Sequence, residues 1–285
     1  MNLQHILTEI EKVDPEVYQK LDTRRATMRR FRFAGKVLAA AAIPSAFGSL
    51  FKKAYGQTGS SITEVLQYAL TLEYLEAEFY TMAVAKGMTL FPTAAGLQAF
   101  TTIRDHENAH VAFLKTAISS LNATPIAKPT FDFTAGQGSS NGPFKDVFTN
   151  YDLLLAVAQV FEDTGVRAYK GQAANLMANN DVLQAALQIH SVEARHAAHV
   201  RYMRRNKPSA FVAGDVKPWI TGNQSGVAST AVQASYNGEE VTNQAGVEIV
   251  NINSKGISAA AASEAFDEPL TMQEVLAIAK PFLTP

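Results

Sequence analysis

The chain has no cysteine. That excludes disulfides, thiolate zinc sites and iron–sulfur clusters, leaves the redox compartment open, and means that any metal must be held by oxygen and imidazole ligands. Tryptophan occurs once, at Trp219, and histidine six times. Charge of one sign is also missing: 25 basic residues stand against 26 acidic ones, for a formal net charge of −1 and a pI near 6.6. With no basic block in the central region, the electrostatic footprint of a nucleic-acid binder is absent, and no nucleic-acid partner is expected. Nor is there an uninterrupted apolar run of the roughly 20 residues that a spanning helix needs. The most apolar stretch, from Phe31 to about Phe51, is broken by Lys36 and Pro44. What remains is 285 residues, 47% hydrophobic, enough for one sizeable core with extra segments or for two small domains.

Five of the six histidines fall in two short windows, His106 with His110 and His190 with His196 and His199. The second window lies in a stretch whose apolar residues Val182, Ala186, Ile189, Val200 and Met203 recur at steps of three and four, the period of a helix buried along one side. The two stripe positions in its middle are Glu193 and His196, which share a face about one turn apart. A buried carboxylate is strongly unfavourable unless a salt bridge, a hydrogen-bond network or a metal balances it.

Three more helices carry the same anomaly. The first is predicted from the capping box Ser61-Ile62-Thr63-Glu64 to Lys86, with Gly87 as its stop and the stripe Ile62, Leu66, Ala69, Glu73, Glu76, Tyr80, Ala83. The second, from near Leu97 to near Leu121, has the stripe Phe100, Ile103, Glu107, His110, Leu114, Ala117, Leu121. Residues 122–149, rich in proline, glycine and small polar residues, are too long for a tight turn and read as a crossover pinned by Phe131, Phe133 and Phe144. The third helix, from near Asn150 to near Met177, carries Leu155, Ala158, Glu162, Gly165, Tyr169 and Leu176, and the fourth runs from Asn180 or Asp181 to a basic end at Arg201, Arg204, Arg205 and Lys207, where Pro208 stops it.

Together the helices form a two-fold repeat: Glu73 with Tyr80 seven residues on, then Glu107-x-x-His110; Glu162 with Tyr169 seven residues on, then Glu193-x-x-His196. Seven residues are two turns, so each tyrosine is expected over the glutamate of its own helix. One glutamate from each of two helices and Glu-x-x-His from the other two is the ligand set of di-iron and di-manganese carboxylate bundles. Hard divalent ions accept these donors, two ions cancel four carboxylates, and a tyrosine hydroxyl can bond a ligating carboxylate from outside. A plain buried polar pair is the competing reading for one Glu-x-x-His, and a plain core aromatic for each tyrosine. His190 and His199 are expected at the rim or behind the ligands, and His106, Glu78, Asp105 and Asp163 on the solvated surface.

On these residues the chain resembles the ferritin-like superfamily over about residues 60–207. More narrowly it resembles bacterial ferritin-like domain proteins of the desiccation-related type, through Leu72-Glu73-Tyr74-Leu75-Glu76-Ala77-Glu78-Phe79-Tyr80 and Ala265-Phe266-Asp267-Glu268-Pro269-Leu270. The resemblance implies an all-α, four-helix bundle with one long crossover and a centre of two divalent ions, iron or manganese, at Glu73, Glu107, His110, Glu162, Glu193 and His196. Glu76 is an added carboxylate whose repeat mate is Gly165. It resembles the extra carboxylate of rubrerythrin relatives, as an alternate ligand, or else it pairs with a cation.

Three domains are expected: an arm at 1–57, the bundle at 58–208, and an extension at 209–285 that packs on the bundle. Thr23-Arg24-Arg25-Ala26-Thr27-Met28-Arg29, the apolar run and Ala54-Tyr55-Gly56 resemble a twin-arginine export signal, with Thr27 where phenylalanine is expected. The alternative is a retained basic amphipathic arm that packs on a partner, near a membrane or in the cytoplasm. Trp219 is expected to anchor the extension, Val247 to Ile252 to form a short strand, and Ser258–Phe266 and Thr271–Lys280 to form short helices, the second with a capping box. Two functions follow: a di-metal oxidoreductase reacting with oxygen or peroxide in stress protection, exported to the periplasm, with a homo-oligomer as one option, or a structural envelope protein whose metal, if any, locks the bundle. An iron-storage shell is a third reading, disfavoured by the long extension.

Overall fold

A computed structural model of the protein describes residues 61–205, 207 and 209–285. The expected signal or arm at 1–57, and Pro208 as a stop, lie outside the described residues. Four long helices form the expected bundle: α1 (Ile62–Ala85), α2 (Ala94–Ser120), α3 (Tyr151–Gln172) and α4 (Asn180–Arg205). Helix α1 begins with the predicted capping box, in which Ser61 accepts from the Glu64 amide and Glu64 from the Ser61 amide. It ends before Gly87, whose φ of +54° suits glycine. Helix α2 starts three residues before the predicted Leu97, because Thr93 is its N-cap and accepts from the Gly96 amide. Asn150 caps α3. Helix α1 packs along α2 and α3 along α4, and residues 121–150 carry the chain between the two hairpins. No helix among the described residues is long and apolar enough to cross a membrane.

Of the three core clusters, two lie toward opposite ends of the bundle, and a third joins Tyr68, Leu72 and Ala168 to Leu270, Val275 and Ala279 of the extension. Of the end clusters, one joins Phe79, Tyr80, Phe100, Leu154, Phe161 and Val200, and the other Leu66, Leu70, Leu114, Tyr169, Leu176 and Ile189. The second half of α1 therefore meets the first half of α3, so the two run antiparallel and the internal repeat becomes a pseudo-two-fold arrangement.

Single stripes describe α2 and α4 well but not α3, in which every residue from Leu153 to Tyr169 is buried. The extension covers its outer face. Asp163, expected at the surface, is 3% exposed: Arg201 donates to both of its oxygens (2.8 and 2.5 Å) and the Tyr236 hydroxyl to one (2.7 Å). Arg167 donates to the carbonyls of Glu268 (2.7 Å), Ser235 (2.5 Å) and Asn237 (2.8 Å) and pairs with Glu239 at 2.6 Å. Arg204 donates to the carbonyls of Phe211 and Gly226, both at 2.9 Å. Arg201 and Arg204 thus hold the extension to the bundle, beyond suiting the α4 dipole. Trp219 is no anchor, being half exposed; fully buried Tyr236 takes that place. Of the expected strand only Val247–Glu248 forms, paired with Asn243–Gln244 as a two-residue hairpin. The short helices α5 (Ala259–Ser263) and α6 (Met272–Ala279) appear as expected, α6 with its capping box.

The last residues return to the crossover. Phe131 and Leu283 form an antiparallel bridge, the Asp132 amide donates to Phe282 O at 2.8 Å, and the Asp132 carboxylate accepts from Thr134, Gly138 and Ser140 amides. Phe133 and Phe144 are buried beneath it, as predicted.

At Gly171 the extension lies so close to α3 that an added Cβ would overlap the carbonyl of Leu270. A backbone oxygen cannot swing aside as a side chain can. Gly171→Ala is therefore expected to destabilise the protein by about 1–3 kcal/mol in urea unfolding, with faster amide exchange around Leu270 than in the wild type.

Candidate metal centre

Between the two end clusters, where α1 to α4 come closest, lie six of the predicted residues. Glu73, Glu107, Glu162 and Glu193 are all 1% exposed or less, and His110 and His196 are buried. One donor atom each from Glu73, Glu107, His110 and Glu193 lie within 4.8 Å of one another, and so do atoms from Glu107, Glu162, Glu193 and His196. The two groups share Glu107 and Glu193. The repeat in the sequence has become two adjoining subsites with a pair of common carboxylates.

Both imidazoles turn Nδ1 inward. His110 Nδ1 is 3.2 Å from Glu73, 3.1 Å from Glu107 and 3.1 Å from Glu193. His196 Nδ1 is 2.9 Å from Glu107, 3.3 Å from Glu162 and 3.6 Å from Glu193. Yet His196 Nδ1, Glu107 Oε1, Glu162 Oε2 and both oxygens of Glu193 have no hydrogen-bond partner. They are close together without being aligned for hydrogen bonds, because they face a common point. A buried polar atom left without a partner costs about 1–3 kcal/mol, more if charged. Five such atoms converging from three helices, with Glu73 of the fourth beside them, fit a bound divalent ion far better than they fit a hydrogen-bonded network.

The tyrosines serve the cluster with their partners exchanged. Tyr80 donates to Glu162 at 2.5 Å, and Tyr169 donates to Glu73. Each bonds the glutamate of the opposite helix rather than the one two turns away on its own. A helical side chain leans toward its own N-terminus, and α1 and α3 are antiparallel, so each hydroxyl is carried back to the level of the glutamate on the opposite helix.

His106, expected in solvent, is exposed on one side only. Its ring stacks on that of His196 with centroids 5.2 Å apart, and its Nδ1 is 2.9 Å from His196 Nε2. Sequence spacing misses this contact, since His106 is off the stripe of α2 and meets the outer edge of a side chain from α4. His190 is half-buried and His199 exposed; among the described residues neither joins the cluster. Glu78 is half-buried and paired with Lys128, and Asp105 is exposed and bonded to Arg104, consistent with surface charges.

Glu76 stands beside the cluster but outside both groups. Gly165 faces it, and a Cβ there would lie in ordinary contact, 3.5 Å from Glu76 Oε1. Among the described residues no cation pairs with Glu76, so the expectation of a basic partner is not met.

Proton affinities reflect the crowding. Burial, then repulsion from Glu193, Glu162, Glu107 and Glu73, pushes the Glu76 carboxyl well above the usual range. Burial and Glu193 do the same for Glu107, and burial lifts Glu162 to about 7. Burial disfavours charged His110 and His196, but the surrounding carboxylates outweigh it and hold both well above the ordinary imidazole value. Without metal, the cluster holds protons at neutral pH.

The sequence model of the family described as "Ferritin-like domain" matches residues 61–206, about half of the chain. No curated protein matches it.

The raised Glu76 carboxyl has a testable sign in chelator-treated protein. Below its ordinary value both folded and unfolded chains carry the proton; above it only the unfolded chain releases it, so this group lowers stability as pH rises. Glu76→Gln is therefore expected to match the wild type in urea midpoint near about pH 4 and to exceed it near about pH 7. Equal midpoints at both would show that the carboxyl is ionised in the fold.

Proposed function

The chain belongs to the ferritin-like domain family, and from that premise we propose that it is a di-metal carboxylate protein that reacts with oxygen or peroxide. The single observation that carries the reading is the set of five unpartnered buried donor atoms at the crossing of the four helices. Glu73, Glu107, His110 and Glu193 would hold one ion; Glu107, Glu162, Glu193 and His196 would hold the other. When bound, two iron or manganese ions supply redox equivalents and open positions for a small oxidant.

The chain's own residues do the rest. Glu107 and Glu193 offer one oxygen to each subsite. Tyr80 and Tyr169 fix the rotation of Glu162 and Glu73, so that the free oxygen of each carboxylate faces the centre. His106 Nδ1 meets Nε2 of His196 at 2.9 Å, a contact that would hold the His196 ring with Nδ1 turned to the metal. The aromatic cluster of Phe79, Phe100 and Phe161 closes one end against water. A role in stress protection, of the desiccation-related type, is the biological reading of such a centre. The arginine pair at Arg24-Arg25 supports, in that reading, export from the cytoplasm.

Reconstitution decides between this and a structural role. With ferrous iron or manganese under nitrogen, elemental analysis is expected to give about two ions per chain, and Glu193→Ala to remove them. Oxygen or peroxide uptake should follow iron loading. Two tightly held ions that raise the melting temperature without any uptake would assign the metal to bundle stability instead. Because the metal-free cluster is protonated, loading is expected to release protons, seen as a buffer-dependent heat in titration calorimetry at neutral pH.

A further inference from the structure

The two subsites match in their inner contacts and differ behind them. Glu73, Tyr80, Glu107 and His110 repeat as Glu162, Tyr169, Glu193 and His196. The distances follow the repeat. His196 Nδ1 lies 2.9 Å from Glu107 and 3.3 Å from Glu162, and His110 Nδ1 lies 3.1 Å from Glu193 and 3.2 Å from Glu73. Each tyrosine bonds the glutamate across the repeat. Glu76 has no mate, since Gly165 stands in its place, but the two face each other beside Glu193, a carboxylate common to both subsites.

His106 is a break that belongs to one subsite. It precedes Glu107, and the residue in the same place before Glu193 is Val192. His106 Nδ1 is 2.9 Å from Nε2 of His196, with the rings within 12° of parallel. Valine has no polar side-chain atom, so Val192 cannot make the corresponding contact with His110. The carboxylates around His110, from Glu73, Glu107 and Glu193, all meet its Nδ1. A metal-bound imidazole is neutral, and an ion on Nδ1 leaves the ring proton on Nε2. In the His196 subsite that proton faces a fixed acceptor, His106 Nδ1. An acceptor in that position orients the ring and raises its basicity, and its loss costs about ten- to hundredfold in metal affinity. His110 has no such side chain behind it among the described residues.

We propose that the two subsites are unequal and that His106 makes them so: the subsite of Glu162 and His196 takes the first divalent ion, and that of Glu73 and His110 the second. His106 is a positioning residue, acting through His196. The inference rests on the di-metal reading above and adds an order of filling to it.

Manganese(II) tests the order of filling without any turnover. Crystals of chelator-treated protein grown with one equivalent are expected to show anomalous scattering at the Glu162–His196 subsite, at least about tenfold above that at the other. His106→Val should abolish the excess, and His106→Gln, which still offers an acceptor, should keep it. Exchanging the pair, with His106→Val and Val192→His together, should move the ion to the Glu73–His110 subsite. In solution, His106→Val is expected to lower the combined affinity for two ions about ten- to hundredfold by titration calorimetry, a reading that needs no crystal of the variant. Equal scattering from both subsites of the wild type, or an excess unchanged in His106→Val, overturns the inference and leaves the di-metal centre standing. An excess that disappears in Glu76→Gln assigns the difference to that carboxylate and also overturns it. No manganese at either subsite overturns the centre itself, and the order of filling with it.

Discussion

Four carboxylates and two imidazoles share a dry space at the middle of the bundle, and the rest of the structure follows from that crowding. Carboxylates at this proximity repel, and burial removes the water that would screen them. Protons can relieve part of the repulsion, in keeping with the raised Glu76 and Glu107 carboxyls. They cannot supply partners for Glu107 Oε1, Glu162 Oε2, Glu193 and His196 Nδ1, which face one another without hydrogen-bond alignment. Divalent ions do both, and the donor set without thiolate suits iron or manganese.

A second buried charge system makes a useful contrast. Asp163 is as deeply placed as the cluster, yet both of its oxygens are bonded, by Arg201 and Tyr236. That arrangement is complete without a ligand. Its role is mechanical: with Arg167 and Arg204 it fastens the carbonyl-rich extension over the outer face of α3. Buried charge alone therefore does not mark a site in this protein. Unsatisfied buried donors and acceptors that converge do, as at the cluster.

Packing around the cluster divides its surroundings unequally. The repeat gives each half the same helix pair and the same ligand types, while Phe79, Phe100 and Phe161 fill one end and Ala168, Ala186 and Leu72 stand at the other. The two ends of a symmetric centre thus differ in side-chain volume.

Much of this was legible in the chain because helical periodicity is local. Steps of three and four put Glu73, Glu107, Glu162 and Glu193 on apolar stripes, and caps at Ser61, Asn150 and Thr271 marked where helices begin. The bundle, the crossover and the six clustered residues followed. Contacts that depend on how helices lie against one another did not. The exchange of Tyr80 and Tyr169 between glutamates needed the antiparallel relation of α1 and α3, and the His106–His196 stack needed the height at which α2 meets α4. Asp163 was misplaced on the surface and Trp219 taken for the anchor of the extension, because period along one helix cannot show that a segment some 70 residues away, around Tyr236, will cover its outer face. Sequence alone determined which residues share a face; only the tertiary structure decided what that face meets, since burial and partnership arise between segments and have no local period.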